Sequence, residues 1–358
     1  HFHSYLCRRF SGGMEIFMRD VSYLTDKYSD KINAVNEFGA PLNFVFITDP
    51  HNRMNEFSVK EGRVEGLSEY EYAVDAVRSI QHILDRCQGI GMVINGGDIG
   101  NDYHPDPKVI RKTHREYMDA LYALSVPIYS CVGNHDNALG NCTDEGWDNR
   151  KYVILPDEMH DICMRYNPTQ NNYYYIDLKD NDFRFIFLDV SDGDYRQDKK
   201  GQYQGWMYAV SNKQAEWFED EALVTDRNVI VFCHGPVCNK GIYGSAGYPQ
   251  GIKPYYDLIN GPRLHRAMKS SQNVVCHIAG HVHYDNLLYD EGILTVTTQS
   301  ACASAWCPSC PERKIGTLTE TAFDVFSIKG DTVKITRFGA GYDRMGALPK
   351  MKKMQRGI

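Results

Sequence analysis

With 358 residues, 42% hydrophobic and 24% charged, the chain is long enough for a sizeable buried core and has an ordinary globular composition. A net charge of −7 with no long basic run argues against a nucleic-acid or anionic-membrane surface. No stretch of about eighteen apolar residues is present to span a bilayer as a helix. The opening residues His1 to Phe10 lack the apolar core of a signal peptide, so a cytoplasmic location is expected. The sequence starts on His, and Met14 follows Gly13, so residues 1–13 read as an expression remnant or the result of truncation. Eleven cysteines, an odd number scattered through apparent strands and helices, fit free thiols in a reducing compartment. Only Cys302, Cys307 and Cys310 lie close together; three sulfurs there suit free thiols, one disulfide or a zinc ion, with no fourth ligand nearby in sequence.

Ile16, Phe17, Val21, Leu24 and Tyr28 recur at mostly helical spacing and predict a leading helix within 14–35. Residues 42–48 are a continuous apolar run, as expected of a strand covered on both faces, and lead into Asp49-Pro50-His51. Ser68 and Glu71 make a capping box for a helix that buries Ala73, Val77, Ile80 and Leu84. A second strand, 92–95, ends in Gly96-Gly97-Asp98-Ile99-Gly100. A helix over 108–123 leads to a third strand, 127–130, which ends in Cys131-Val132-Gly133-Asn134-His135-Asp136. Residues 141–171 are polar and irregular, with one short helix around 158–165, and read as an insertion. Strands follow at 173–178 and 183–190. Ser211 and Gln214 then form a second capping box, whose helix is docked by Trp217 and Phe218.

The β-prone run 228–233 ends in His234-Gly235-Pro236. A Gly/Tyr-rich loop over 241–252 and a helix near 254–269 precede strand 273–278, which ends in Gly280-His281-Val282-His283. The rest turns to β: 287–289, 293–298, 322–329 and 332–338, the last two joined by a tight Lys-Gly-Asp turn. The pattern is a single α/β domain over 42–345, with extra β structure at its end. An N-terminal segment, 1–41, precedes it and a tail, 346–358, follows.

Five apolar runs thus end in potential metal ligands: Asp49 with His51, Asp98, Asn134, His234, and His281 with His283. Strand ends are where open α/β sheets place their ligands. If the endings stay extended, residues i and i+2 point the same way, and each paired set converges on one ion. Carboxylates, imidazoles and one carboxamide without a thiolate suit Mn, Fe or Zn, with identity open. The ligands are too many for one tetrahedral ion but enough for two ions sharing a carboxylate, leaving net positive charge for an anionic substrate. His135 is placed to move a proton near neutral pH, with Asp136 available to fix its tautomer.

Asp-x-His at 49–51, Gly-Asp-x-Gly at 97–100, Gly-Asn-His-Asp at 133–136, a lone histidine after a strand at 234 and Gly-His-x-His at 280–283 appear in that order. This ordered set resembles the calcineurin-like metallophosphoesterase superfamily over roughly residues 42–300. The resemblance implies a four-layer α/β/β/α sandwich with two mixed β-sheets. It implies that Asp49, His51 and His283 hold one divalent metal, that Asn134, His234 and His281 hold another, and that Asp98 bridges them. It further implies in-line attack on phosphorus by a metal-bridging hydroxide, with His135 binding the phosphoryl oxygen and protonating the leaving group and Asp136 orienting it. Asn101 stands where purple acid phosphatases place a tyrosine ligand, and no arginine follows Asp98 as it does in protein Ser/Thr phosphatases. What remains is the single-domain phosphodiesterase and phosphatase branch.

A phosphodiester is the expected substrate, because no motif loop brings an arginine beside a ligand for a monoester dianion. Arg53 comes nearest in sequence, while Arg263 or Arg344 would have to fold back from a distance. A phosphomonoesterase is the alternative; a nuclease is disfavoured by the acidic charge, and a non-catalytic scaffold by the presence of every ligand. The expected partner is a small phosphorylated substrate, with no membrane and no nucleic acid. Asn101, Tyr103 and His104 after the shared aspartate, and Lys240, Tyr243 and Tyr248 after His234, are candidates to line its pocket.

Overall fold

The computed structural model describes residues 5–9, 15–19, 26–53, 73–102, 104–139, 149–193, 195–203, 208–237, 239–242, 258–302, 311–349 and 351. In chain order the elements are β1 (Tyr5–Arg9), β2 (Glu15–Arg19), α1 (Ser29–Phe38), β3 (Leu42–Ile47), α2 (Ala73–Leu84), β4 (Ile90–Asn95), α3 (Pro107–Tyr122) and β5 (Ile128–Ser130). There follow α4 (Pro156–Cys163), β6 (Tyr174–Asp177), β7 (Phe183–Phe187), α5 (Asn212–Trp217) and β8 (Asn228–Phe232). The last are α6 (Gly261–Ser270), β9 (Val274–Ala279), β10 (Asn286–Asp290), β11 (Ile293–Thr297), β12 (Ala322–Lys329), β13 (Thr332–Gly339) and β14 (Arg344–Ala347). One mixed sheet has the order β14-β13-β12-β3-β4-β5, the other β10-β11-β9-β8-β7-β6. The two sheets face each other, with helices on their outer sides.

Phenylalanines hold the sheets together. Phe44 of β3 stacks on Phe326 of β12 in its own sheet (ring centroids 5.1 Å apart) and meets Phe185 and Phe232 of the opposite sheet edge-on at 5.3 and 5.7 Å. Every residue of β3 is buried, which is why its sequence shows no alternation. A second apolar cluster seats α6 and the stretch after α5 on the outer face of the other sheet, through Phe218, Leu264, Met268, Val229 and Val231. Helix α3 starts where Asp106 accepts the Lys108 amide at 2.9 Å with Pro107 in its first turn. Its buried positions Ile110, His114, Tyr117, Met118 and Leu121 follow the helical period.

Three local expectations are corrected. Within 14–35 the structure has β2 paired antiparallel with β1, and the helix starts only at Ser29; the β-branched and aromatic run Ile16-Phe17 satisfies its backbone across a strand pair instead. The box at Ser211 closes on one side only: its Oγ accepts the Gln214 amide at 3.1 Å, but the Gln214 side chain turns to Asp189, exchanging bonds with the Asp189 amide and carbonyl at 2.9 and 2.8 Å. The helix after it relaxes into a π-turn over Phe218–Ala222. A further strand, β14, pairs with β13 and runs to Ala347. The box at Ser68 lies outside the described residues, as do Cys307 and Cys310, whereas Cys302 is buried, its Sγ donating to the Pro50 carbonyl at 3.0 Å. Among the described residues no helix is long and apolar enough to cross a membrane.

Candidate metal centre

The parallel strands β3, β4 and β5 of one sheet and β8 and β9 of the other end at the same side of the sandwich. Their exits carry the candidate ligands. Two groups result: Asp49, His51 and His283, and Asp98, His234 and His281, each with ligand atoms within 4.8 Å of one another. Convergence does not come from extended alternation. Asp49, His51, Asp98, His281 and His283 all have left-handed backbone, with φ of 53°, 43°, 57°, 66° and 47°. Non-glycine residues adopt this region at a cost, and such strain gathers at functional sites. The chain turns sharply at each exit, and so the two histidines of Gly-His-x-His reach different clusters.

Neighbouring backbone fixes the carboxylates. Asp49 Oδ2 accepts from Thr48 Oγ1 at 2.6 Å and from the His281 amide at 2.9 Å. Asp98 Oδ1 accepts the His135 amide at 2.9 Å, leaving Oδ2 at 3.0 Å from His234 Nε2 and 3.7 Å from His51 Nε2. Gly133 permits this approach, since a Cβ there would overlap Asp98 Oδ1. Fully buried Asn134 sits between Gly133 and His135, whose backbones both meet Asp98. His281 is stacked on the buried ring of Tyr208, centroids 4.7 Å apart and planes 12° from parallel.

The donors suit cations. His234 Nδ1 donates to the Gly96 carbonyl at 2.8 Å, which turns Nε2 toward Asp98 Oδ2 at 3.0 Å. His51 Nε2 similarly faces His283 Nε2 at 3.3 Å. Acceptors this close repel unless a proton or a metal ion lies between them. Burial pushes the Asp49 carboxyl up, but His234 and His283 beside it more than reverse this and hold it at about 2. Burial likewise opposes charge on His234, yet Asp98 and Asp49 raise it to about 9. At His51 burial wins, and the ring is pushed down to about 3. The field that draws a proton to His234 would draw a cation too.

His135 stands beside the first cluster, its ring 5.2 Å from that of His51. Its orienting carboxylate is Asp102, whose Oδ2 lies 2.7 Å from His135 Nδ1, and not the expected Asp136. Asp136 instead accepts three backbone amides, those of Gly133 (2.7 Å), Asp98 (3.1 Å) and Ile99 (2.7 Å), and so binds the β4 and β5 exits together. A chain neighbour of His135 on a tight turn points elsewhere, whereas the loop after β4 brings Asp102 to the ring. Burial disfavours the imidazolium, but Asp102 and Asp98 outweigh it and hold the His135 pKa up at about 10.

The pocket candidates fare differently. Asn101 is fully buried and braces the loop, its Nδ2 donating to the Arg53 carbonyl at 2.7 Å. His104 Nδ1 accepts the Asp106 amide at 3.0 Å at the approach to α3. Both side chains hold backbone in place. Lys240 falls on a 3-10 turn, Asn239–Ile242, but its side chain lies outside the described residues, as do Tyr103, Tyr243 and Tyr248. The three arginines considered are all engaged: Arg53 forks onto Glu116 at 2.8 and 2.9 Å, Arg263 pairs with Glu219, and Arg344 pairs with Asp324.

The sequence model of the calcineurin-like phosphoesterase family matches residues 42–285. Among solved structures, a dimetal phosphatase from Danio rerio shares the fold with a TM-score of 0.62 at 17% identity, over 86% of this chain and 99% of that one. A putative 5′-nucleotidase from Staphylococcus aureus gives a TM-score of 0.45 at 15% identity, over 88% of this chain and 56% of the other. No curated protein matches the sequence.

Proposed function

The chain belongs to the calcineurin-like phosphoesterase family, and from that premise we propose that it is a two-metal hydrolase that prefers phosphodiesters to phosphomonoesters. The observation that carries the two-metal reading is the meeting of both ligand clusters at Asp98 Oδ2, within 3.0 Å of His234 Nε2 and 3.7 Å of His51 Nε2. Asp49, His51 and His283 would hold one cation, Asn134, His234 and His281 the other, and Asp98 would touch both. Their nitrogen and oxygen donors suit Mn, Fe or Zn. Bound there, two divalent cations supply the positive charge that holds an anionic ester and make a water acidic enough to attack phosphorus at neutral pH.

The chain's own residues supply the proton. With Nδ1–H donated to Asp102, the His135 imidazolium is fixed in orientation and keeps Nε2–H for the phosphoryl oxygen or the leaving group. Asp102 stabilises that charged form and locks the ring, and Asp136 keeps the two loops in register from behind. The diester preference rests on charge. Arg53, Arg263 and Arg344 are each committed to a carboxylate, so none is at hand for the second charge of a monoester dianion. The test compares kcat/KM for bis-(nitrophenyl) phosphate and nitrophenyl phosphate under the same metal, in turn Mn, Fe, Zn and Mg. A preference of more than about tenfold for the monoester, near 1.4 kcal/mol in the transition state, overturns the substrate assignment.

A further inference from the structure

The loop that carries His281 and His283 is tied to strands that contribute no ligand at all. Both residues have left-handed backbone, a state that persists only where surrounding contacts over-determine it. At the start of the loop, the His281 amide is held by Asp49. Beyond His283 the anchor is Asp285. Arg337 of β13, fully buried, forks onto it with Nη1 to Oδ2 at 2.8 Å and Nη2 to Oδ1 at 2.6 Å. The same guanidinium reaches Asp324 of β12 through Nε at 2.8 Å and Nη2 at 3.0 Å. Gln299 adds its amide to Asp285 Oδ1 at 3.1 Å and its Nε2 to Oδ2 at 2.9 Å. Gly341 leaves room for this junction: its φ is 107°, and a Cβ would crowd Arg337 Nη1, Gln299 Nε2 and Asp285 Oδ2. A buried arginine is tolerated only when its donors are met. Here two carboxylates meet them, and one lies two residues from His283.

We infer that Arg337 and Asp285 position His283, and thereby set the metal affinity of the Asp49/His51/His283 cluster separately from that of the Asp98/His234/His281 cluster. This inference rests on the two-metal reading above. The asymmetry follows from what holds each ligand. His281 is fixed by its amide on Asp49 and its ring on Tyr208, and His234 by Gly96, none of which involves Arg337. The ring of His283 meets Asp49 Oδ1 at 3.2 Å, and its backbone alone runs straight into the Arg337–Asp285 junction two residues on. Loss of a group that orients a ligand typically costs roughly 10–100-fold in metal affinity.

The experiment strips the full chain of metal and titrates it with Co(II), following both the visible spectrum and the bound ion content. The wild type should take up two ions. Asp285→Asn should keep one at wild-type affinity and weaken the other by at least about tenfold. In a His234→Ala background the same change should abolish the remaining tight ion. Arg337→Lys, which keeps the charge but cannot fork onto both carboxylates, should shift the titration the same way; it decides the matter alone if Asp285→Asn does not fold. Arg184→Met serves as the control for general loosening. It breaks an equally bidentate pair with Asp177, 2.7 and 2.9 Å, at the opposite end of β7, and should lower Tm while both ions bind as before. Unchanged affinities in both test variants, or equal weakening of both ions, would overturn the inference. A wild type that binds fewer than two ions defeats the two-metal reading itself and this inference with it.

Discussion

His135→Asn should leave the metal content intact and remove most of the turnover. His135 is not in either ligand cluster, but it stands 5.2 Å from the His51 ring and is oriented through a 2.7 Å contact with Asp102. Asp102 and Asp98 hold its pKa up at about 10 against the effect of burial. General acid catalysis is typically worth roughly 10²–10⁴-fold, or about 3–5 kcal/mol of barrier. The loss should approach the upper end for alkyl esters, whose leaving oxygen must gain a proton. It should shrink to the part due to phosphate binding for nitrophenyl esters, whose leaving group needs none. Asp102→Asn should follow the same leaving-group pattern with a smaller loss, since the imidazole remains but its orientation and charge are less well held. The assay is kcat for a series of diesters of graded leaving-group pKa, with metal content measured alongside. An equal loss across the series removes His135 from the acid role, and loss of a metal ion refutes its placement outside the ligand set.

Asp136→Ala should act on stability before chemistry. It strands three buried amides, and each unsatisfied donor costs about 1–3 kcal/mol, so the urea midpoint should fall sharply or the chain should fail to fold. A stable variant with only a kinetic defect like that of His135→Asn would contradict this. Asp324 makes stability depend on acid. Burial pushes its carboxyl up, but Arg337 and Arg344 more than reverse this and hold it at about 2, below its value in the unfolded chain. Its stabilisation is therefore complete above about pH 4 and is lost as pH falls through 2, an amount of about 2 kcal/mol. Urea unfolding between pH 2 and 5 should show this slope in the wild type and a reduced one in Asp324→Asn; identical slopes would refute it.

The strand ends were legible because buried parallel strands are unbroken apolar runs, and the residues that close them are chemically distinctive. The family followed from the order of those endings. The turns that aim the ligands were not legible: Asp49, His51 and His283 carry no local signal for left-handed backbone, which tertiary contacts impose. Adjacency also misled at His135, where the neighbour Asp136 serves the backbone and a carboxylate from another loop meets the ring. Asp102 had one available clue, its place four residues after Asp98 on the exit of β4. The strand β14 was hidden by Gly346, which does not favour β structure but is tolerated at the sheet edge. Ile16 and Phe17 fit a helix or a strand equally well over so short a run.

The most direct test of the account is the number of metal ions bound per chain after reconstitution with Mn, Fe or Zn. Two clusters meeting at one carboxylate predict two ions in the wild type, one in His234→Ala, and disturbance of both in Asp98→Ala. A wild type that holds one ion or none would contradict it.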